Sequence, residues 1–457
     1  MRLRVEWMAL VLPAALLAAG CSTYSAQSPL IRQAMEAQNY EEAIKLTDKI
    51  SKSNSELLYC YELGTILHEQ GDYLASNATF ERAEQVFDEL YTKSISREVG
   101  AAVVNENMTK YRGDPFEAVL VNYYKILNYL FLEQTADALV ECRRLNQKLQ
   151  VIHDAGETYF VDDPFLQYLT ALVYERGGEI QSAEVSYRRA CQLYDRDSTL
   201  VCPPSLHCDA AENARRLGDT AQAAEYETHA ACPPAVAGRG RVLVVVESGV
   251  VARKVEAAIT LPIFNNDRYS NQGAYSRELY SRAGQHYDPR IVKYWLRVAL
   301  PALQEDPARD ERAIVRATPA SVSAEPRIDK PAEVSATAVE DLDGQARRAY
   351  HEKQGDVFLR AIARALAKYL ASDVAAQKDT GLGTLINLLG VVTETADTRS
   401  WTTLPRAIQA ARLDLDPGKY KIEVDIVDAR GALLTHQSFD DVEVTADGLE
   451  VRRVRVR

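Results

Sequence analysis

A repeated pattern of small and large residues constrains this chain more than any other feature. The clearest copy spans residues 63–83, with a turn at Gly71 and a large side chain at Phe80, and the same spacing recurs over residues 171–190. Five copies align, and the small residues that coincide in them are Ala43, Ser76, Ala138, Ala183 and Ala223. A small residue lets two helices cross closely, so the pattern predicts stacked pairs of antiparallel helices.

The pattern resembles the tetratricopeptide repeat (TPR). The spacings between the aligned small residues are 33, 62, 45 and 40, and only the first is close to the TPR period of about 34 residues. The long gap contains an insertion at roughly residues 92–113. We therefore predict a degenerate TPR-like α-solenoid over residues 30–232, with an unrelated helical bundle as the alternative.

The pattern changes after a Pro/Gly-rich linker at residues 232–240. Residues 241–247 (RVLVVVE) form a β-branched run typical of a buried strand. Further strands are predicted at residues 250–262, 294–300, 313–318 and 321–324, and a helix at 338–372. The fold class is thus α+β and multidomain, with a mixed α/β region at residues 233–405.

The last 50 residues alternate apolar and polar side chains, as half-buried strands do. They predict a small antiparallel β-module at residues 406–457 with the pattern of a sandwich. Asp447 and Gly448 are expected to form a tight hairpin turn between its last two strands.

The N-terminus has the organisation of a secretory signal. Arg2 and Arg4 precede the apolar run 7–19, which is too short to span a bilayer but suits a signal peptide. Small residues then lead to Cys21, similar to a lipobox, although Ala18 stands where Leu is usual. We predict a signal peptide at residues 1–20, lipidation of Cys21 and a flexible tether at 21–29. A plain signal peptide is the alternative.

Ser22, rather than Asp, follows Cys21. By resemblance to the sorting rule of enteric bacteria, this favours the periplasmic face of the outer membrane over retention at the inner membrane.

The chain has six further cysteines: Cys60, Cys142, Cys191, Cys202, Cys208 and Cys232. The periplasm is oxidising, so we predict one disulfide within residues 191–232. A zinc site formed by Cys202, His207 and Cys208 is the alternative, although this spacing matches no common ligand pattern.

Residues 380–392 (TGLGTLINLLGVV) are apolar but too short to cross a membrane. A buried core element is the favoured interpretation, because short apolar runs usually mark a core. A surface that docks on a membrane or a partner is the alternative.

Little in the sequence suggests catalysis. The net charge of −12 argues against non-specific nucleic-acid binding. No histidine stands in a metal-ligand spacing, and no nucleophile-elbow or phosphate-binding motif occurs. We predict no cofactor, no metal and no enzymatic activity.

Two segments have more aromatic and polar residues than a scaffold needs, residues 111–130 and 396–405. The candidate partner-binding residues in them are Arg112, Tyr123, Tyr124, Asn128, Arg399 and Trp401. The alternative is that both segments form buried aromatic–polar networks that fix the fold.

These segments, the lipobox and the order of domains resemble a family of uncharacterised bacterial TPR-containing outer-membrane lipoproteins. The resemblance implies a helical repeat domain followed by an α+β part, with no reaction attached. Our leading hypothesis is a non-enzymatic scaffold of an envelope assembly or secretion complex, which binds proteins or extended peptides on the solenoid. A regulator of a peptidoglycan synthase is the second hypothesis, and an envelope hydrolase acting through two carboxylates is the third.

Overall fold

A computed structural model describes residues 24–50, 52–92, 109–154, 156, 160, 162–197, 199–234, 236–264, 292–307, 310–320, 332–378, 387 and 394–457. Cys21 and the strand predicted at residues 321–324 lie outside these residues, as does the apolar run 380–392 except for Asn387.

The first half of the described chain consists of five helical hairpins. Their helices are α1 (Tyr24–Glu36), α2 (Tyr40–Thr47), α3 (Lys52–Gln70), α4 (Tyr73–Thr92), α5 (Pro115–Phe131), α6 (Thr135–Asp154), α7 (Pro164–Arg176), α8 (Ile180–Arg196), α9 (Pro204–Arg216) and α10 (Thr220–Glu227). All five small residues of the aligned repeats lie on the second helix of a hairpin and are buried. The TPR-like organisation predicted from their spacing is therefore confirmed.

Gly64 shows why the crossing positions must be small. A Cβ atom at this position would lie 2.5 Å from the ring of Phe80, closer than packed atoms can approach. The Ser76 hydroxyl also donates a hydrogen bond to the Gly64 carbonyl, with 2.8 Å between the oxygens. Helices α3 and α4 can therefore approach closely, because α3 has no side chain at position 64.

The second half of the described chain contains ten strands and one long helix. The elements are β1 (Gly240–Ser248), β2 (Arg253–Phe264), β3 (Val292–Gln304), β4 (Arg312–Pro319), β5 (Ala332–Ser335), β6 (Thr337–Asp341), α11 (Leu342–Lys378), β7 (Ala407–Leu415), β8 (Gly418–Val427), β9 (Leu433–Val444) and β10 (Leu449–Val456). The first sheet has the order β10-β1-β7-β6, and the second has the order β5-β4-β8-β9. Strands β1 and β10 are parallel, whereas the other neighbours are antiparallel.

The first sheet is the middle layer of three. Alternate residues of a strand point to opposite faces. Val242, Val244 and Val246 accordingly pack against the second sheet, while Leu243 and Val245 share a core with the helices. The two sheets form a sandwich, and the helical repeat covers the other side of the first sheet. The sandwich differs from the antiparallel module predicted for residues 406–457, because it also includes β1, β4, β5 and β6 and contains the parallel pair β1 and β10.

Among the described residues, β2 and β3 pair only with each other, and β3 lies against α11. Tyr294 of β3 packs edge-on against Tyr369 of α11, with ring centroids 5.0 Å apart. The Tyr350 hydroxyl donates to the Pro301 carbonyl at 3.0 Å. We call this hairpin and helix, residues 253–264, 292–304 and 342–378, the arm.

Several predicted boundaries require correction. Residues 24–29 belong to α1 rather than to a flexible tether, and residues 338–341 belong to β6 rather than to the following helix. The turn at Asp447 and Gly448 does not join neighbouring strands, because β9 lies in the second sheet and β10 in the first. Strands from both sides of the predicted boundary at residue 405 share the two sheets.

Among the described residues, no helix combines the length and the apolar character needed to cross a membrane.

Candidate functional site

The odd-numbered helices α1 to α9 line one face of the repeat, which we call the inner face. In a helical repeat, such a continuous face is the natural place for a partner. In this protein the face is covered by the first sheet and by an extended stretch, residues 394–406, which we call the crossing segment.

One ion-pair cluster ties the first sheet to α3. Arg453 of β10 pairs with Glu69 of α3 and, at 2.6 Å, with Glu247 of β1. The Tyr123 hydroxyl of α5 donates to Glu247 at 2.7 Å. Burial raises the pKa of Glu69, but Arg453 and the neighbouring arginines outweigh it and bring this pKa to about 2. The Glu69 carboxylate is therefore charged, and it is held between the two halves of the chain.

A second cluster ties the sheet to α7 and α9. Arg241 of β1 pairs with Glu175 at 2.5 Å and with Glu212 at 2.9 Å. Arg412 of β7 pairs with the buried Asp209 at 2.9 Å. All these charges are paired across the interface, which limits the cost of burying them.

A third cluster joins α5 to the arm. Asp114, the residue preceding α5, pairs with Lys353 of α11 at 2.7 Å and with Lys254 of β2 at 3.2 Å. Burial raises the pKa of Asp114, but the two lysine charges outweigh this effect and lower the pKa below its ordinary value.

The crossing segment inserts one indole ring between the second and third helical hairpins. Trp401 is fully buried and stacks on Tyr61 of α3, with ring centroids 4.4 Å apart. Tyr124 and Phe80 lie beside it, at centroid distances of 5.8 and 5.9 Å. The indole nitrogen donates to the Thr65 hydroxyl at 3.0 Å. Both the apolar ring and its polar atom are therefore satisfied.

Two buried carboxylates hold the backbone of the same segment. The Trp401 amide donates to Glu117 at 2.8 Å, and the Thr402 amide donates to Glu62 at 2.9 Å. The Tyr24 hydroxyl bridges Glu62 and the Ser400 carbonyl. Burial raises the pKa of Glu62, and burial together with Asp114 raises the pKa of Glu117 to about 7. Side-chain contacts to backbone amides are a general way to hold an extended chain without a sheet.

Arg399, two residues before Trp401, also anchors the crossing segment. Its guanidinium pairs with Asp397 at 2.6 Å and donates to the carbonyls of Asn54 and Thr109 at 2.9 and 3.0 Å. It also lies over the Tyr111 ring, 5.5 Å from the centroid. Arg399 therefore connects the segment to the first turn of α3 and to the stretch that precedes α5.

The predicted partner-binding residues lie mostly inside this interface. Tyr123, Tyr124, Asn128, Arg399 and Trp401 are buried and contact the chain itself. Asn128 donates to Asn77 at 2.8 Å, and Tyr124 lies against Trp401. Arg112 is half-buried, over the ring of Tyr91 at 5.8 Å. The geometry matches the alternative of buried aromatic–polar networks, and binding of a partner by these residues stays a prediction.

The charged residues of the first sheet were not among the predicted site residues. Arg241, Glu247, Arg412 and Arg453 occupy alternate positions in strands, where charged residues usually face solvent. Here they face the helices. The available signal was a charged residue on each side of an apolar β-branched run, as in residues 241–247.

The cysteines follow the favoured prediction. Cys208 and Cys232 form a disulfide that closes the 24-residue separation between α9 and the linker. The pairing uses one of the three proposed zinc ligands, while Cys202 lies 3.2 Å from Nε2 of His207. In the described part of the chain, no three His, Cys, Asp or Glu residues are grouped to hold a metal ion.

Two carboxylates of the largest described cleft between the two halves are held in ion pairs. A cleft of about 730 Å³ lies between α7, α9 and the sandwich. Two carboxylates on it, Glu175 and Glu212, both pair with Arg241 and Arg216. Asp163 is buried, and its carboxylate accepts a hydrogen bond from the Leu166 amide at the start of α7. These arrangements give no support to the hydrolase hypothesis.

The chain is similar to several solved helical-repeat structures. It is 16% identical to MamA from Desulfovibrio magneticus RS-1, over 45% of this chain and 91% of that one, with a TM-score of 0.28. It is 12% identical to BtubC from P. vanneervenii, over 50% and 82% of the two chains, with a TM-score of 0.31. It is 15% identical to the Rap conjugation regulator of plasmid pLS20 in complex with the Phr* peptide, over 43% and 49%, with a TM-score of 0.25.

No protein-family model matches the chain, and no curated protein matches it. The five helical hairpins themselves show the TPR-like organisation.

Proposed function

We propose that this protein is a non-enzymatic protein–protein interaction scaffold of the bacterial envelope, in which the helical repeat clamps the chain's own second half. The observation that carries the proposal is the occupied inner face. Trp401, Glu62 and Glu117 hold the crossing segment there as a groove would hold a bound peptide. Partners then bind surfaces that point outward.

The arm is the outward surface that this proposal favours. Its exposed apolar side chains include Ile259, Leu261 and Trp295 on the hairpin, and Leu359 and Leu370 on α11. Single exposed apolar residues are ordinary, but a concentration of them on one element is typical of an interaction surface.

The proposal places the protein at the periplasmic face of the outer membrane, anchored by a lipid on Cys21. The signal-like run 7–19 and the small residues before Cys21 support this location. The Cys208–Cys232 disulfide supports an oxidising compartment.

The test is a crosslinking pull-down of the full chain from envelope fractions, with partners identified by mass spectrometry and rebound in purified form. The arm variant is Leu370→Asp, and the matched control is Val185→Asp on α8, a side chain that is 68% exposed against 60% for Leu370. We expect an identified partner that binds the wild type and the control but not the arm variant. Equal binding by all three proteins would contradict the role of the arm, and no rebinding of any candidate would contradict the scaffold.

A further inference from the structure

Three arginines of the last strand enter the interface between the first sheet and α3. Arg453 and Arg455 lie on β10 and Arg457 directly follows it, so these alternate residues share one face of the sheet. All three guanidinium groups converge on the carboxylate of Glu69 in α3. Arg453 forms a close ion pair with it, and Arg455 and Arg457 lie 3.7 and 3.5 Å from it. The Arg455 side chain is the most deeply buried of the three, at 7% exposed.

The side chains of this cluster carry unequal charge. In the described part of the chain, Glu69 and Glu247 are the only carboxylates within ion-pair distance of the three guanidinium groups. Burial lowers the pKa of the neighbouring His68 to about 4, so this ring is neutral at pH 7. Three positive charges therefore face two negative charges. An excess charge is costly to bury unless another charge balances it.

The hydrogen-bond donors show the same imbalance. The Nη1 groups of Arg455 and Arg457 are buried without a hydrogen-bond partner among the described residues, and so is Nε of Arg455. Neither Nη1 is the atom that approaches Glu69, because Arg455 approaches it through Nε and Arg457 through Nη2. Burial lowers the pKa of Arg455 below its ordinary value despite Glu69 and Glu247. Buried donors of this kind normally bind a protein group, water or an ion.

We propose that Arg455 and Arg457 hold a small anion between them, bound by their two Nη1 groups. Residues two apart in a strand are separated by about 6.6–6.8 Å, so two long side chains there can share one ligand. One negative charge at this position balances the cluster, whereas a water molecule would satisfy the donors and leave the excess charge. Chloride and phosphate share the necessary chemistry, because both are anions that accept hydrogen bonds from guanidinium groups.

The surroundings of the site limit the ligand to a compact ion. Arg457 is the more exposed of the two side chains, at 14%, so the route from solvent passes it. The site lies beside Arg453, which joins Glu69 of α3 to Glu247 of β1. A bound anion therefore stabilises the contact between the two halves of the chain. This inference goes beyond the proposed function and does not depend on any external partner.

Thermal unfolding of the purified full chain in matched salts tests the inference. At one pH and one ionic strength, sodium gluconate, whose anion is bulky, is replaced stepwise by sodium chloride or by sodium phosphate. A ligand that binds only the folded state raises the melting temperature. We expect at least one of the two anions to raise it by about 2–5 °C at about 100 times the dissociation constant.

Arginine variants assign the effect to the site. Arg455→Gln and Arg457→Gln should each abolish the rise in melting temperature. Arg457 is the more exposed position, so its variant serves as the test if Arg455→Gln does not fold. The control is Arg216→Gln, at another arginine beside the first sheet, which pairs with Glu175 and Glu212 at 2.7 Å each. This control should keep the dependence on the anion.

Each outcome decides the inference. A rise that is lost in the site variants and kept in the control supports it. A rise with chloride alone then assigns a halide, and a rise with phosphate alone assigns an oxyanion. Equal melting temperatures of the wild type in the three salts would overturn the inference. A rise that the site variants keep, or that the control also loses, would overturn it as well.

Discussion

The indole ring of Trp401 stacks on the ring of Tyr61, with 4.4 Å between the ring centroids. Tyr61 belongs to the second helical hairpin, whereas Trp401 belongs to the extended segment that leads into β7. This contact joins the two halves of the chain at the centre of the inner face. A segment of the same chain therefore occupies the inner face of the helical repeat, where a partner would otherwise bind.

Replacing Trp401 tests the strength of this connection. Trp401→Ala removes a fully buried ring and leaves a cavity, so we expect a loss of about 3–5 kcal/mol in the free energy of unfolding. Urea denaturation followed by far-ultraviolet circular dichroism measures the change. The control is Trp295→Ala on the arm, where the ring is 46% exposed and the expected loss is below about 1.5 kcal/mol. Similar losses for the two variants would contradict the anchoring role of Trp401.

A buried carboxyl pair makes stability depend on pH. Burial raises the pKa of Asp163 to about 6, and burial together with Asp163 raises the pKa of Glu340 well above its ordinary value. The folded protein thus holds these protons more tightly than the unfolded chain does. The resulting stabilisation is complete below about pH 4, where both states are protonated, and is lost as the pH rises through about 6.

We therefore expect this pair to contribute a fall of about 1–3 kcal/mol in the free energy of unfolding between about pH 5 and about pH 8. Glu340→Gln removes one of the titrating groups and should flatten this dependence, whereas the exposed Glu333→Gln should leave it unchanged. Urea titrations across the range measure both slopes. A slope that is the same in Glu340→Gln as in the wild type would contradict the account.

The helical half could be predicted from the sequence because its rule is local. Small residues such as Ala43 and Ala183 must recur where two adjacent helices cross, and that requirement survives the irregular spacing of the copies. The cap of α5 was predictable for the same reason, since Asp114 and Glu117 interact within one helical turn.

The arrangement of the sheets could not be predicted in this way. Strand β1 pairs with β7 and β10, which lie far along the chain, and local patterns do not specify such partners. The turn at Asp447 and Gly448 resembled a hairpin, but here the chain passes from one sheet of the sandwich to the other.

The burial of the candidate partner-binding residues could not be predicted from the sequence. Tyr124 and Trp401 were chosen as aromatic residues suited to contact, and they do meet each other. Their burial depends on the crossing segment reaching α3 and α5, which is a long-range property of the fold.

The disulfide offers a third test. Cys208 and Cys232 close a separation of 24 residues, so replacing both with serine should lower the free energy of unfolding by about 3 kcal/mol. Cys202→Ser, at a half-buried free cysteine, is the control. A thiol assay on the unfolded wild type should find two more thiols after reduction than before. An unchanged thiol count would contradict the pairing.

Lipidation of Cys21 is tested in cells. A palmitate analogue should label the wild-type protein, and Cys21→Ser should abolish both the label and the recovery of the protein with membranes. Cys60→Ser, at a buried position, should keep both properties. Labelling that persists in Cys21→Ser would rule out this anchor.

Hydrogen exchange at the Trp401 and Thr402 amides tests the central claim most directly. These amides lie outside any helix or strand, where exchange is ordinarily fast, yet they donate to the buried carboxylates Glu117 and Glu62. If the crossing segment fills the inner face, both amides exchange as slowly as the core strand β1, through opening of the whole structure. Exchange within seconds, with β1 still protected, would show that the segment leaves the inner face and that the groove is open to partners.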